Sequence, residues 1–420
     1  DILNNIIASN GVVLGNISTI QNSNNQSIVA SLNFDKFYRN FKFLNKNNNF
    51  FDILKSLKRV RVNYTENSGK VIPGYLPSIG FFGTSKPSFG FIFGNQSNVR
   101  YELAKMGYLT NFSGFNEQFQ QVFNSKFEMS AEIQLFKNLK IDLNANRNYS
   151  NNYSENFRVN NNNYEILNPN FYGNFSISSN MLKTSFDKKS IDQSDSFDNM
   201  KENLKIISLR LINQKGINNI EFDAQGYPIG FSQNSQEVLV PAFISAYTGN
   251  NANSVGLNPI SDKPKINWSI QYDGLSEGLK DIFSRISLRH SYRSNFTINN
   301  FQSNLNYSEN SFNSVGDYES KIFFSNINLV EQFNPLIRVD LELKNSLRLS
   351  FDVIKDRAVS LSLANNLITE SWGDEYSIGI GYRARNLKLW SRFASTGNRF
   401  IGDLNTKLDF NIRKNMTLIR

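Results

Sequence analysis

The sequence predicts an all-β protein: an arc of a very large antiparallel transmembrane β-barrel, with folded loop inserts and a few short helices. Three observations lead there. First, between Ile337 and Lys344 every odd position is aliphatic and every even one charged. The alternation returns at Leu347/Leu349/Phe351/Val353, Val359/Leu361/Leu363, Tyr376/Ile378/Ile380/Tyr382 and Leu404/Thr406/Leu408/Phe410/Ile412. Period-2 alternation sends successive side chains to opposite faces of a strand, so each run is a half-apolar, half-polar ribbon of about ten residues, the length a barrel crossing needs. Second, the polar halves carry full charges: Arg338, Asp340, Glu342, Lys344, Arg348 and Asp352, then Lys407, Asp409 and Arg413. A soluble β-sandwich also alternates, but on shorter strands of about five or six residues and with no charge on its inner face. A water-filled lumen suits the charged face here, and lipid the other. Third, there is no run of about 18 apolar residues, so no membrane-spanning helix is expected, whereas barrel strands hide their apolar half in alternation.

The elements follow in order. Residues 1–50 open on an apolar stretch around Asn10 and Gly11 and continue through Asn- and Ser-rich sequence. Residues 48–57 read as a short amphipathic helix, with Asn49 as cap and Phe51, Leu54 and Leu57 on one face, feeding a strand at 60–64. The same order returns at 275–283, a short helix feeding a strand at 286–292. Residues 69–115 are expected to form a non-strand insert. Its first part, 69–95, is too punctuated by Gly and Pro for a strand and too aromatic for a disordered linker. Within it Ser97 caps a short helix reaching Met106, with Gly107 just past its end. Strands follow at 127–135 and 139–145 around a turn at 136–138, then a polar loop at 150–170 and a strand at 171–177.

Residues 179–265 break the rhythm. Helical patterns stand at 199–213, with Leu204, Ile207 and Leu211 on one face, and at 235–247, with Pro241 in the first turn or at a kink and Gly249 beyond. A structureless loop of that length is rare, so this is a second folded insert, at the barrel mouth or in the lumen. Strands resume at Trp268/Ile270/Tyr272 and run on, with 416–420 reading as the start of another. A dozen to fourteen strands make residues 1–420 one unit. Unpaired edges in lipid cost several kcal/mol per group, so the unit is expected to be one arc of a larger barrel. The first residue is Asp, which marks the chain as processed or as a piece of something longer.

Composition narrows the function classes. The net charge is +9, but the basic residues sit singly on alternating strands and form no patch or basic helix, which argues against nucleic acid. The absence of cysteine suits a periplasm-facing compartment. The abundant Phe and Tyr suit aromatic girdles, and the Asn excess suits turns. Catalytic chemistry is missing. His290 is the single histidine, on the same strand face as Leu288 and Tyr292, and reads as a belt histidine rather than a base. One His and no Cys exclude an ordinary zinc site. Asp223-Ala-Gln-Gly-Tyr227 is half a calcium loop without the spaced carboxylates or closing Glu. Gly80, Gly83, Gly90 and Gly94 lack phosphate-loop spacing. No catalytic residue, metal or cofactor is expected, and the chain does not read as an enzyme.

Several segments resemble one family. Val71-Ile-Pro-Gly-Tyr-Leu-Pro77, Phe89-Gly-Phe-Ile-Phe-Gly-Asn-Gln96 with Arg100 after it, and Gly107-Tyr-Leu-Thr110 are similar to segments of the SprA (Sov) family. So are Gln236-Glu-Val-Leu-Val-Pro-Ala-Phe-Ile-Ser-Ala-Tyr-Thr-Gly249, Trp268-Ser-Ile-Gln-Tyr-Asp-Gly-Leu-Ser276, Leu288-Arg-His-Ser-Tyr-Arg293, Glu331-Gln-Phe-Asn-Pro-Leu-Ile337 and Leu343-Lys-Asn-Ser-Leu347. That family is the outer-membrane translocon of the type IX secretion system, tied to gliding motility in Bacteroidetes. The resemblance runs, with gaps, from about Asp35 onward. It implies the C-terminal part of an exceptionally large single-chain barrel in the bacterial cell outer membrane, passing folded cargo that carries a C-terminal sorting domain. The partners it implies are the remaining part of the same barrel, a PorV-type outer-membrane barrel, a periplasmic plug protein and membrane lipid, with no nucleic acid. The chain departs from the family by being far shorter. A TonB-dependent or porin-type uptake barrel is the alternative function.

Two sets of site residues follow. Ile337, Val339, Leu341, Leu343, Leu347, Leu349, Phe351 and Val353 are expected to face lipid, and the nine charged residues named above a lumen. Pro73, Gly74, Tyr75, Gly80, Phe81, Phe82, Gly83, Phe89, Phe91 and Phe93 are expected to form a partner seat or gate, with a static cap as the alternative, because apolar irregular backbone cannot lie in a lipid-exposed wall.

Overall fold

The computed structural model describes residues 17–34, 38, 56–77, 88–187, 190, 193–261, 263–390 and 399–420, with side chains left out at 388–390 and 399–401. Twelve strands form one antiparallel sheet: β1 (Ser18–Asn33), β2 (Leu57–Tyr75), β3 (Gln118–Phe136), β4 (Leu139–Asn160), β5 (Asn163–Ser178), β6 (Asn267–Tyr272), β7 (Phe283–Ser303), β8 (Ile322–Phe324), β9 (Asn326–Leu343), β10 (Leu347–Ser362), β11 (Leu367–Trp390) and β12 (Arg399–Ile419). The path runs β1-β2-β3-β4-β5-β7-β9-β10-β11-β12, and β1 and β12 are not paired with each other. This is the all-β, open meander that an arc of barrel wall requires.

The strands are far longer than the sequence pattern suggested. β4 has 22 residues, about 70 Å at 3.3 Å each, where a tilted crossing needs about 9–11. Four expectations change as a result. Residues 150–170 are not a loop but the upper parts of β4 and β5, joined at Asn161 and Asn162, both in the left-handed region (φ 48° and 58°) that a tight hairpin demands. The Val359/Leu361/Leu363 run starts no strand of its own, because β10 already carries it to Ser362. Residues 416–420 end β12 rather than start another strand. The insert placed at 69–115 begins only after Tyr75, since β2 holds its pairing to β1 as far as Tyr75↔Ser18. Pro73 is tolerated there because pairing with β3 has already stopped at Val71↔Gln120, so no ladder bond is lost.

Helices lie only in the connections. α1 (Phe89–Ile92) and α2 (Arg100–Lys105) follow β2, and α3 (Asp195–Gln214) and α4 (Gln236–Thr248) fill the stretch between β5 and β6. Ser194 caps α3 by accepting from the Phe197 amide, and Gly249 ends α4 at φ 66°. The helix read at 97–106 shortens to α2 with Val99 at its cap. The one read at 275–283 is a 3-10 turn, Gly274–Glu277. Of the helix read at 48–57, residues 48–55 lie outside the described residues, Ser56 is helical and Leu57 opens β2.

β5 and β6 share one position in the sheet. β4 pairs with β6 at residues 139–144 and with β5 from Arg147 upward; β7 does the same at 288–292 and from Asn295 upward. The insert between them therefore leaves the wall at mid-height. Side chains close that gap: the Ser294 amide donates to Asn267 Oδ1 (2.9 Å) and the Asn146 amide to Ser178 Oγ (2.8 Å).

Candidate functional site

Directly paired residues in adjacent strands point to the same side, so the registers trace each face across the sheet. Leu408, Ile380, Leu349, Leu341 and Ile286 form one unbroken row through β12, β11, β10, β9 and β7. Ile133, Ile141, Ile270 and His290 continue it through β3, β4, β6 and β7. Ala30, Val62, Met129 and Ala145 carry it to β1. In seven strands the apolar run ends at a polar residue on the same face: Gln26, Glu66, Ser125, Arg147, Lys355, Asp374 and Lys414. The result is an apolar belt over one part of the sheet height. Ile412 is 74% exposed, Phe410 59% and Leu408 56%, and Ile337, Phe351 and Ile378 are exposed too, whereas Ile286 and Val353 are buried, so among the described residues the belt is largely bare from β9 to β12. Aromatic side chains mark its upper edge, where Trp268 stacks on Tyr292 (4.6 Å) and Phe333 packs on the same Tyr292 (5.0 Å).

The opposite face is charged and self-paired. Arg338 reaches Asp340 (3.1 Å) and Asp352 (3.5 Å), Arg348 reaches Glu342 (3.0 Å), and Lys407 reaches Asp409 (2.8 Å). Arg413 bridges Asp356 (2.8 Å) and Glu375 (3.1 Å). Such half-exposed pairs are each worth at most about 1 kcal/mol, but together they leave a wall dense in charge. A hollow of about 640 Å³ lies on this face, lined by Arg285, Arg289, Arg338, Arg348, Arg383 and Lys407 among others. Of the nine charged residues singled out in the sequence, eight lie on this face, and Lys344 stands in the turn after β9.

Above the belt, the same face that carries the aliphatic rows is covered by the inserts. α3 and α4 pack Ile207, Phe243 and Tyr247 onto Phe175, Ile298, Leu329 and Leu361 of the wall. α1 and α2 pack Phe91, Leu103 and Ala104 onto Ile20, Ile72, Phe119 and Phe157. The 179–265 insert thus lies against the side opposite the charged face. The physical reason is its mid-height exit on the apolar side.

Buried charge fixes each insert. Arg357, 3% exposed, donates from Nε to Glu370 (2.8 Å) and from its other nitrogens to the Thr184 carbonyl (3.0 Å) and Ser196 Oγ (3.3 Å), with its guanidinium over the Tyr247 ring. Glu331 accepts from Ser185 Oγ (2.5 Å) and Tyr292 Oη (3.1 Å). On the other insert, Arg100 of α2 pairs with the fully buried Glu155, which also accepts from Tyr153 and from Tyr164 (2.7 Å). Burial first, then the bond to Glu155 and its negative charge, push the Tyr153 hydroxyl up to about 12 and that of Tyr164 further in the same direction. Lys70 donates to the carbonyls of Gln96 and Ser97 (2.9 Å); burial, then the charge of Arg100, lowers its pKa. Sequence reading missed these latches. Their signal was present: Glu155, Glu331, Arg357 and Glu370 are full charges at positions whose parity belongs to the apolar face.

The expected partner loop divides. Pro73, Gly74 and Tyr75 belong to β2, with Tyr75 wholly buried. Phe91 is buried beneath α1, while Phe89 and Phe93 point outward, 66% and 82% exposed. Gly80, Phe81, Phe82 and Gly83 lie outside the described residues. His290 Nδ1 sits 2.6 Å from the Leu336 carbonyl, between Trp268 and Phe333. Asp223 accepts from the amides of Gln225 and Tyr227, closing its own turn. Among the described residues no group of three or more His, Asp or Glu side chains is arranged to hold a metal.

No family model matches this chain, and no curated protein matches it. Its reading rests on the two faces.

Proposed function

We propose that this chain is the C-terminal part of a protein-conducting outer-membrane channel of the SprA (Sov) kind, which exports folded cargo in type IX secretion. The observation that carries this is the pairing of faces: one apolar belt, continuous across the strands and, among the described residues, largely bare from β9 to β12, backed by an ion-paired polar wall. In lipid the belt faces acyl chains and the charged wall faces water. Ten strands in the main path still leave both edges unpaired with each other, so closure in a bilayer requires further strands, and barrel diameter grows with strand number. Both described inserts lie off the charged face.

In this reading the partners are the rest of the barrel, a PorV-type barrel, a periplasmic plug protein, cargo with a C-terminal sorting domain, and lipid. Phe89 and Phe93, aimed away from the wall beside edge strand β1, are the residues proposed to seat one of the protein partners. The deciding measurement is the lumen width of the complete protein, imaged in lipid. A pore tens of Å wide is expected. About twenty-two strands around a lumen filled by a globular plug, or a narrow charged eyelet, would replace this function with uptake. A Phe89→Ala/Phe93→Ala variant should insert normally and lose co-purification of a partner barrel or plug. Unchanged co-purification removes these two rings from the partner surface.

A further inference from the structure

Where the large insert returns to the wall, it brings cations to the upper rim of the apolar belt. Ser261 and residues 263–266 run beside the junction of β5 and β6, and the Lys265 amide donates to the Ser178 carbonyl (2.9 Å). Arg147, the residue that ends the apolar run of β4, donates from Nε to the Ser261 carbonyl (3.0 Å), with its guanidinium over the Tyr149 and Phe175 rings. Lys263 and Lys265 are exposed on that segment. Immediately below stand the half-exposed Ile266 and then Trp268, which pairs with Leu143 of the belt. Three cations thus lie one to three residues above an apolar surface, with an indole at the boundary. The sequence puts one acid, Asp262, in the segment, leaving positive charge in excess.

We propose that Arg147, Lys263 and Lys265 form a binding site for the phosphate of an anionic lipid headgroup, whose acyl chains lie along Leu143, Ile266 and Trp268. The inference rests on the membrane reading above. Lipid suits this place better than a free anion, because the cations are fixed beside apolar area that only an amphiphile would cover. A cation near an anionic surface contributes several-fold in affinity, and an indole at headgroup depth anchors the boundary. Arg147 is held by the backbone of the insert, so the insert itself sets the height of the site above the belt.

The test uses the full-length protein in lipid nanodiscs of phosphatidylcholine with or without phosphatidylglycerol, with retained lipid counted by mass spectrometry after detergent exchange. The variant Lys263→Gln/Lys265→Gln removes two exposed charges and leaves Arg147 and its packing intact. The wild-type protein should retain phosphatidylglycerol in preference to phosphatidylcholine, and the variant should lose that preference roughly tenfold. A control variant on the opposite face, Arg348→Gln/Arg383→Gln, should keep it. Equal retention by the wild type and the Lys variant, or displacement of the lipid by inorganic phosphate alone, overturns the proposal. A fluorophore at Phe351→Cys, quenched by brominated acyl chains, separates the two failures. Quenching without headgroup preference sinks only this site, whereas no quenching sinks the membrane reading beneath it.

Discussion

Arg357 shows how a single residue acts in this protein. It stands on the strand face between Lys355, which ends the apolar run, and Val359, and it is buried with Glu370 under the large insert. Removing one partner of a buried pair leaves an uncompensated charge and costs about 3–5 kcal/mol, whereas replacing both with apolar residues is often neutral. Arg357→Met should therefore loosen the insert strongly, and Arg357→Met/Glu370→Leu should recover most of the loss, read by protease protection of residues 195–248. Glu237 in the first turn of α4 behaves differently. Burial raises its pKa most, against opposing help from Lys215 and Ser320, and the charge of Asp317 raises it further. A raised carboxyl favours the folded state below the ordinary glutamate range, and that contribution is lost as pH rises through the folded value. Protease resistance of the insert should thus fall as pH rises above the ordinary glutamate range, about 4, and Glu237→Gln should flatten that dependence. A wild-type profile that is already flat would remove Glu237 from the account.

At the scale of the strand, one side chain position decides between two solvents. Phe351 lies on the bare belt and Ser350 beside it on the charged face. In the proposed bilayer setting Phe351→Arg should cost about 2–4 kcal/mol near the midplane and Ser350→Arg much less, measured by urea unfolding from vesicles. Backbone approach sets a second limit. A Cβ at Gly173 would collide with the Ser150 carbonyl oxygen and the Phe301 ring, whereas Gly278 has nothing within 4 Å. Gly173→Ala should open the β4–β5–β7 junction and destabilise the wall by a few kcal/mol, and Gly278→Ala should stay within about 0.5 kcal/mol.

Across the whole molecule the sheet is two-storeyed on one face. The lower storey is the bare belt and the upper is roofed by inserts, each tied down by a buried Arg–Glu pair, Arg357–Glu370 and Arg100–Glu155. Fixed polar anchors of this kind oppose a free-swinging gate. The inserts are therefore expected to stay on the wall when the complete protein changes state. Amide hydrogen exchange in α3 and α4 that tracks the flanking strands β5, β9 and β10 would bear this out, and independent fast exchange of the helices would contradict it.

Alternation alone determined the strands of the C-terminal half, their two chemistries, and the side on which Ile337 to Val353 and Arg338 to Asp352 fall. It could do so because each residue there is read by its immediate surroundings, and a period of two is a local property. The helices α3 and α4 were legible for the same reason, their apolar spacing and Gly249 being local signals. The length of the strands was not legible. Above the belt, Asn- and Ser-rich stretches such as 144–156 lack alternation, and what holds them extended is pairing with distant neighbours. Nor did the sequence reveal which face the inserts cover, or that Glu155, Glu331, Arg357 and Glu370 meet partners far along the chain. Those facts depend on the register of β5 and β6 within one wall position, and only the assembled sheet fixes a register between strands so far apart in sequence.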